Sequence, residues 1–282
     1  MKLLRVGPPG EERPALMDAA GKLYDISAHV PDITPATLAA GCLDTIAGLN
    51  VADLPPIEGS PRIGPPVAHP QKFIGVGLNY ADHAAEMGMQ PPRQPVIFTK
   101  HTSCIIGPND DVMLPPDSKH ADHEVELGVI IGRAARRVRE GQALDHVAGY
   151  VLINDVSERH YQKDCGGQWV KGKSCDTFGP IGPWLVTREE IPDPQAIDLE
   201  LKLNGEVRQR GNTKDMFFSV AELVAHISRF FTLLPGDIIT TGTPAGVGMG
   251  RTPPSYLKEG DVMELSATGL GTQRQHVGRF SE

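Results

Sequence analysis

Three carboxylates stand beside two short apolar runs that have the pattern of strands. Glu124 and Glu126 open the run 125–131, and Asp155 follows the run 150–153 and one asparagine. Because successive side chains of a strand point to opposite faces, residues 124 and 126 share one face. Two buried carboxylates repel each other, and a hard divalent cation with oxygen ligands, Mg²⁺ or Mn²⁺, would relieve that repulsion. The spacing favours a metal site, although solvated glutamates and a turn aspartate would give the same pattern.

A histidine and a glutamate in the segment 79–88, whose pattern is typical of a helix, form the second candidate. His83 and Glu86 are three residues apart and would be neighbours on one helix face. A carboxylate that orients an imidazole raises its basicity, which suits a general base that activates water. A surface ion pair on a short helix is the alternative. The segment 87–92, with its glycine and two prolines, has the composition of a lid hinge.

Polar residues in three further segments could bind an anion. Arg159, Gln162 and Lys173 could pair with a substrate carboxylate or stabilise an oxyanion, whereas the alternative is a solvated basic loop. The segment 240–248 has threonine hydroxyls and, because of its glycines, backbone N–H groups that could bind an anion. It lacks the glycine spacing of a dinucleotide site and the Lys-Ser/Thr pair of a P-loop. Lys100 ends another apolar run, where a plain strand-end charge is the alternative.

Composition excludes several classes of function. The chain has 282 residues with 27 Lys+Arg, 35 Asp+Glu and a net charge of −8, which argues against nucleic-acid binding and against attachment to anionic membranes. No apolar run approaches the length of a membrane span. The four cysteines lie far apart and have the pattern of reduced thiols. We therefore expect a cytoplasmic protein that acts on a small molecule.

A proline-rich segment divides the chain into two predicted parts. Residues 1–66 are expected to form a small N-terminal α+β domain and a proline-rich linker, and residues 67–282 a β-rich catalytic domain. Short apolar runs bounded by Gly, Pro, Asn and Asp predict a mainly β fold with few helices (α+β). Strands are predicted at 3–6, 22–26, 73–76, 96–98, 125–131, 150–153, 199–203, 238–241 and 262–265, and helices at 34–49, 79–88 and 219–231.

Together these pieces are much more specific than any one of them. The order resembles the fumarylacetoacetate hydrolase superfamily over residues 70–280, and within it bacterial hydrolases of 2,4-diketo-3-deoxy sugar acids or other acylpyruvates. The motifs that carry the resemblance are Asn79-Tyr80-x-x-His83-x-x-Glu86, Glu124-x-Glu126-Leu127-Gly128, Asn154-Asp155-Val156-Ser157-x-Arg159-x-x-Gln162, Gly172-Lys173-Ser174 and Thr241-Gly242-Thr243-Pro244-x-Gly246-Val247-Gly248.

The resemblance implies a fold and a metal-bound substrate. The fold would be the superfamily's β-roll, preceded by a small N-terminal domain and paired into a homodimer. A 2-oxo acid would chelate the Mg²⁺ or Mn²⁺ through its carboxylate and keto oxygens. The residues implied are Glu124, Glu126 and Asp155 as metal ligands, Thr243 and Arg159 as partners of the substrate carboxylate, and Tyr80 and Lys100 as pocket lining.

The resemblance also implies a reaction. His83, oriented by Glu86, would deprotonate a water that attacks the distal carbonyl of a 2,4-dioxo acid. Cleavage of the C3–C4 bond would leave pyruvate enolate, and Lys173 and Gln162 would stabilise the oxyanion formed during attack. Three alternatives remain: an oxaloacetate decarboxylase, a ureidoglycolate lyase and a non-catalytic metal- or ligand-binding protein.

Overall fold

Strands dominate the chain. A computed structural model describes residues 1–281, and 33% of the chain is in strands and 20% in helices, which confirms a mainly β fold. The strands are β1 (Lys2–Val6), β2 (Arg13–Met17), β3 (Leu23–Asp25), β4 (Ile63–Gly64), β5 (Phe73–Gly77), β6 (Val96–Lys100), β7 (Ile105–Ile106), β8 (Val112–Leu114), β9 (Ala121–Asp122), β10 (Val125–Ile131), β11 (Val147–Asn154), β12 (Ser157–Glu158), β13 (Gly179–Thr187), β14 (Asp198–Leu203), β15 (Glu206–Asn212), β16 (Ile238–Thr240), β17 (Val262–Ala267) and β18 (Gly271–Arg279).

The helices are short, with four to eight residues each. They are α1 (Pro35–Ala39), α2 (Cys42–Ala47), α3 (Ala81–Glu86), α4 (Glu140–Ala143), α5 (Arg159–Lys163), α6 (Val170–Lys173) and α7 (Val220–Ile227). Turns of 3₁₀ helix occur at Val51–Asp53, Thr102–Cys104, Leu144–His146, Arg188–Glu190, Thr213–Asp215 and Gly248–Gly250. Within residues 1–281, none of these helices is both long and apolar enough to cross a bilayer.

Two mixed sheets and a small two-stranded sheet make up the fold. The largest sheet has eleven strands, with the path β3-β2-β1-β13-β11-β10-β16-β5-β6, and β4 and β7 join it at β1 and β13. The second sheet has the order β15-β14-β17-β18-β8, and β12 pairs with β9. Most neighbours are antiparallel, but β16 and β5 run parallel. The site strands β10, β11 and β16 therefore lie side by side within the large sheet.

The large sheet is covered on both faces. From β10, Val125, Leu127 and Val129 pack into a core shared with β14, β17 and α7. Ile130 packs on the opposite face, in a core that contains residues of β1, α1 and α2. A strand buried on both faces reads as a nearly continuous apolar run, which is why 125–131 was recognisable from the sequence.

The predicted helix over residues 34–49 is wrong in one respect, because the structure divides it into α1 and α2. Thr34 is the N-cap, with Pro35 at the first helical position, as expected. Gly41 has φ of +81°, a left-handed conformation that ends the first helix and turns the chain into the second. The apolar periodicity of residues 34–49 predicts one continuous helix, and Gly41 is the only residue in the sequence that signals the break.

The N-terminal strands are continuous with the large sheet. β1 pairs with β13, and Leu3 lies opposite Leu185 in this pairing. Leu3 is fully buried, in the same core as Val151 and Ile181. The division into parts 1–66 and 67–282 stays a prediction, with a shared sheet and a shared core on either side of it.

Candidate active site

Strand register brings the three carboxylates together. In the antiparallel pair β10–β11, Val125 lies opposite Asn154, so that Glu124 comes opposite Asp155. The backbone N–H of Asp155 donates to the Glu124 carbonyl at 2.9 Å, which extends the ladder by one step. One carboxylate oxygen each from Glu124, Glu126 and Asp155 lies within 4.8 Å of the others, and all three residues are buried. These residues form a carboxylate triad.

Glu126 is held by the strand β16 and the loop that follows it. Its Oε2 accepts from the Thr240 hydroxyl at 2.5 Å and from the Gly242 N–H at 2.7 Å. Its Oε1 accepts no hydrogen bond from any residue in the range 1–281. Burial, together with the charges of Asp155 and Glu124, raises the pKa of Glu126 well above its usual range. A cation at Oε1 would stabilise the ionised carboxylate of Glu126 against this burial and repulsion.

The other two carboxylates already contact side-chain cations. The Lys173 ammonium donates to Glu124 Oε2 at 2.6 Å and to Asp155 Oδ2 at 2.7 Å. Lys100 donates to Asp155 Oδ1 at 2.6 Å, and Arg159 pairs with Glu124 Oε1 at 2.7 Å. Burial alone would raise the pKa of Glu124, but Lys173 and Arg159 hold it below its usual range. Cations therefore fix the orientation of the triad.

The charge of this cluster fits a divalent cation and an anionic ligand. Side chains in mutual contact carry one more negative than positive charge, and an added divalent ion would leave one net positive charge. A substrate carboxylate could then neutralise it, and the oxygen-only donor set suits Mg²⁺ or Mn²⁺. The residues counted are Asp122, Glu124, Glu126 and Asp155 against Lys100, Arg159 and Lys173.

A histidine–glutamate pair on α3 faces the same space. His83 Nδ1 lies 3.3 Å from Glu86 Oε2, and the other oxygen of Glu86 accepts from the Gly246 N–H at 3.0 Å. Because Glu86 is fixed at both oxygens, it can hold His83 with its proton on Nδ1. The Nε2 atom makes no hydrogen bond within the described residues 1–281 and keeps its lone pair for a proton. This is the geometry of a general base.

Glu124 and Glu126 of the triad line one cleft together with His83, whereas Asp155 is fully buried and is not part of the cleft walls. The polar walls of the cleft include Glu124, Glu126, His83 and Lys173. Its remaining walls are mostly apolar, and they include residues from β6, from the segment after α3, from the loop before α6 and from the 3₁₀ turn Gly248–Gly250. These apolar residues are Met87, Met89, Phe98, Trp169 and Met249.

Comparisons with known proteins show the family of this chain. A family model for the C-terminal domain of fumarylacetoacetate hydrolase matches residues 72–278. The chain belongs to the fumarylacetoacetate hydrolase family. A relative from Burkholderia cenocepacia, whose name gives it as a hydrolase without a substrate, is 56% identical over 276 residues, which are 98% of each protein.

Solved structures within the family differ in the reactions that they are named for. A probable 2-hydroxyhepta-2,4-diene-1,7-dioate isomerase from Mycobacterium abscessus is 35% identical, with a TM-score of 0.85 over 100% of both chains. Maleylpyruvate hydrolase from Sphingobium sp. SYK-6, solved with manganese(II) and pyruvate, is 29% identical, with a TM-score of 0.82 over 100% of both chains. The fold is thus shared at full length by proteins named for a hydrolysis and for an isomerisation.

Of three residues that the family resemblance assigned to substrate binding, two lie outside the cleft and the third lines it. Lys100 is fully enclosed and donates to Asp155 and to the carbonyls of Val156 and Phe178, so that it does not line the cleft. Tyr80 is also fully buried outside the cleft walls, and its hydroxyl has no partner within residues 1–281. Thr243 does line the cleft, but its hydroxyl already donates to a carbonyl of β10 at 3.0 Å.

Arg159 and Gln162 lie in the cleft wall on α5. Arg159 Nη1 donates to Gln162 Oε1 at 3.2 Å. The side-chain amide nitrogen of Gln162 donates no hydrogen bond to any residue in the range 1–281, although the residue is only 3% exposed. Gln162 therefore keeps a hydrogen-bond donor for a ligand, as the predicted oxyanion contact requires.

Two supporting residues were missed in the sequence. The Asp122 carboxylate accepts from Arg159 at 2.9 Å and from the N–H groups of Gly248 and Met249, so it holds α5 and a cleft loop together. Its signal was present, since Asp122 continues the two-residue spacing of Glu124 and Glu126. Gln209 accepts from the Val125 N–H and donates to Thr243, and nothing in its polar strand marked it.

Proposed function

We propose that the protein is a divalent-metal-dependent hydrolase that cleaves the C–C bond of a 2,4-dioxo acid, an acylpyruvate or a 2,4-diketo-3-deoxy sugar acid. The products are pyruvate and a second carboxylic acid. The observation that carries the proposal is that His83, oriented by Glu86, lines the same cleft as Glu124 and Glu126, two of the three carboxylates of the triad. The similarity to a maleylpyruvate hydrolase solved with manganese and pyruvate supports it.

The carboxylate triad is the proposed metal site. Glu124, Glu126 and Asp155 would hold Mg²⁺ or Mn²⁺, which when bound supplies a Lewis acid for the 2-oxo acid and for the charge of the enolate product. Glu126 is buried, lines the cleft and has no side-chain cation in contact within residues 1–281, which supports the binding of a cation at its Oε1.

The proton transfers belong to His83. Its Nε2 takes a proton from water as the water oxygen bonds to C4 of the substrate, and Glu86 stabilises the resulting imidazolium. The C3–C4 bond then breaks, its electron pair forms the pyruvate enolate, and the proton returns to C3. The C4 oxyanion formed in between accepts from Gln162 and from the ammonium of Lys173, which has three N–H groups and uses two on the triad.

The His83–Glu86 pair favours hydrolysis over the alternative reactions. Decarboxylation of oxaloacetate needs the enolate stabilisation but no attacking water, and so leaves the His83–Glu86 pair without a task. A ureidoglycolate lyase would release glyoxylate instead of pyruvate.

A homodimer in the cytoplasm is part of the proposal, and light scattering of the purified protein would test the assembly.

A pyruvate-release assay with two variants tests the assignment. Wild type with Mg²⁺ or Mn²⁺ is expected to release pyruvate from 2,4-dioxo acids, and chelation of the metal to abolish it. His83→Ala should lose hydrolysis by about 10²-fold or more while retaining metal affinity by calorimetry. Glu126→Ala should lose both, because it removes a ligand.

Different outcomes separate the alternatives. Turnover of oxaloacetate alone, with full activity in His83→Ala, would show a decarboxylase. Glyoxylate released from ureidoglycolate would show the lyase. A Glu126→Ala variant with unchanged metal affinity would contradict the metal site itself.

A further inference from the structure

One cation of the cleft has no carboxylate partner. Arg159 and Lys173, which also line the cleft, are both in contact with the triad. Lys163 lines the same cleft, is exposed, and has no carboxylate within 4.0 Å among residues 1–281. Partial burial and the nearby Arg159 guanidinium lower the pKa of Lys163, and the opposing effect of Asp164, Glu124 and Asp122 is smaller. Lys163 is thus the cleft's free positive charge.

The position of Lys163 is set by α5. Lys163 is four residues after Arg159, so the two side chains share a helix face. Because α-helices rise 1.5 Å per residue, Lys163 lies about 6 Å further along the axis than the residue that contacts Glu124. A 2,4-dioxo acid bound at the triad by its 2-oxo acid end would extend its tail over a comparable length. The tail would end near the Lys163 ammonium.

The walls of the cleft that Lys163 shares with Glu124 and Glu126 do not suit a polyhydroxylated tail. Met87, Phe98, Trp169 and Met249 offer apolar surface there, and each buried hydroxyl of a sugar tail would need a hydrogen-bond partner. The Thr243 hydroxyl is already engaged with the backbone of β10. An unbranched or planar carbon chain would instead bury against these walls.

We propose that Lys163 binds a terminal carboxylate of the substrate, so that the substrate is a 2,4-dioxo diacid with an apolar chain between C4 and its far end. This inference rests on the proposed function, because it takes the 2-oxo acid end to be held at the carboxylate triad. It narrows the substrate class to acylpyruvates with an acidic tail and disfavours the sugar acids.

Three substrates of equal chain length test the tail. They are 2,4-dioxoheptanedioate, 2,4-dioxoheptanoate and 5,6,7-trihydroxy-2,4-dioxoheptanoate, each assayed by pyruvate release with Mg²⁺. Wild type should favour the diacid over the monoacid by about fivefold in kcat/KM, mainly through KM, since a partly exposed ion pair contributes about that factor. Lys163→Met should bring this ratio close to one, and Lys163→Arg should retain most of it. Lys258→Met, an exposed lysine outside the cleft, is the control and should leave the ratio unchanged.

A binding measurement separates this inference from the hydrolase assignment. Calorimetry with Mg²⁺ compares 2-oxoheptanedioate with 2-oxoheptanoate, neither of which has the C4 carbonyl needed for cleavage. Tighter binding of the diacid to wild type but not to Lys163→Met would support the Lys163 contact even if no 2,4-dioxo acid were cleaved. An equal preference in wild type and Lys163→Met, or best turnover of the trihydroxy acid, would overturn it while leaving the hydrolase intact.

Discussion

Asp155 has a lysine on each of its carboxylate oxygens. Lys173 contacts Oδ2 from the cleft, whereas Lys100 contacts Oδ1 from inside the protein and uses its other N–H groups on two backbone carbonyls. All three donors of Lys100 are therefore occupied, and it serves to orient a carboxylate of the triad. At the scale of single residues, the sequence marked Lys100 as a residue near the site, but not that its side chain points inward to Asp155.

Replacing Lys100 tests this supporting role. Lys100→Met is expected to lower the free energy of unfolding by about 3–5 kcal/mol, because it leaves one oxygen of a buried carboxylate unpaired. Lys202→Met, which breaks an exposed pair with Glu200, should cost at most about 1 kcal/mol. Urea denaturation of both variants gives the comparison, and equal costs would contradict the role given to Lys100.

At the scale of elements, the loop after β16 supports the triad through its backbone. Gly242 has φ of +99° and donates its N–H to Glu126, and a Cβ at this position would lie 2.8 Å from the Cβ of Asn79. The loop can lie this close to the segment that follows β5 only because residue 242 has no side chain. Thr240 and Gly242 thus hold Glu126, the proposed metal ligand, in addition to any contact of Thr243 with substrate.

Gly242→Ala should therefore weaken metal binding. We expect metal affinity to fall by about tenfold or more, the usual effect of losing a hydrogen bond to a ligand. Gly260→Ala is the matched control, because Gly260 has a similar φ of +89° but open space around its Cα. Both variants strain the backbone, and only the first displaces the contact to Glu126. Equal metal affinities by calorimetry would show that this contact does not matter.

At the scale of the whole molecule, the large sheet joins the N-terminal residues to the site strands. β1 pairs with β13, β13 with β11, and β11 carries Asp155 at its end. Residues from both predicted parts pack in one core on the face of the sheet opposite α7. We therefore expect the two parts to unfold together.

A core substitution near the N-terminus tests that expectation. Leu3→Ala should lower the free energy of unfolding by about 2–5 kcal/mol, because Leu3 is fully buried. Unfolding should remain a single transition, in which the surroundings of Trp169 beside the cleft unfold together with the N-terminal strands. Val207→Ala, at a 40% exposed position, should change stability by about 0.5 kcal/mol or less. A separate early transition in Leu3→Ala would instead support two independently folding parts.

Much of this protein was determined by local sequence. The apolar run 125–131, the two-residue spacing of Glu124 and Glu126 and the three-residue spacing of His83 and Glu86 follow from strand and helix periodicity, which depends only on neighbours along the chain. The polar strands β15 and β18 and the proline-containing β13 carry no such signal, because their pairing partners determine them.

Only the tertiary structure decided which charges meet. Register between β10 and β11 placed Asp155 opposite Glu124, and burial then required a partner for every charge, so Lys100, Lys173 and Arg159 were drawn to the carboxylates. A lysine's sequence position does not reveal this, since its long side chain can reach inward or outward. The same arrangement leaves Lys163 as the cleft's free cation and makes it the proposed determinant of the substrate tail.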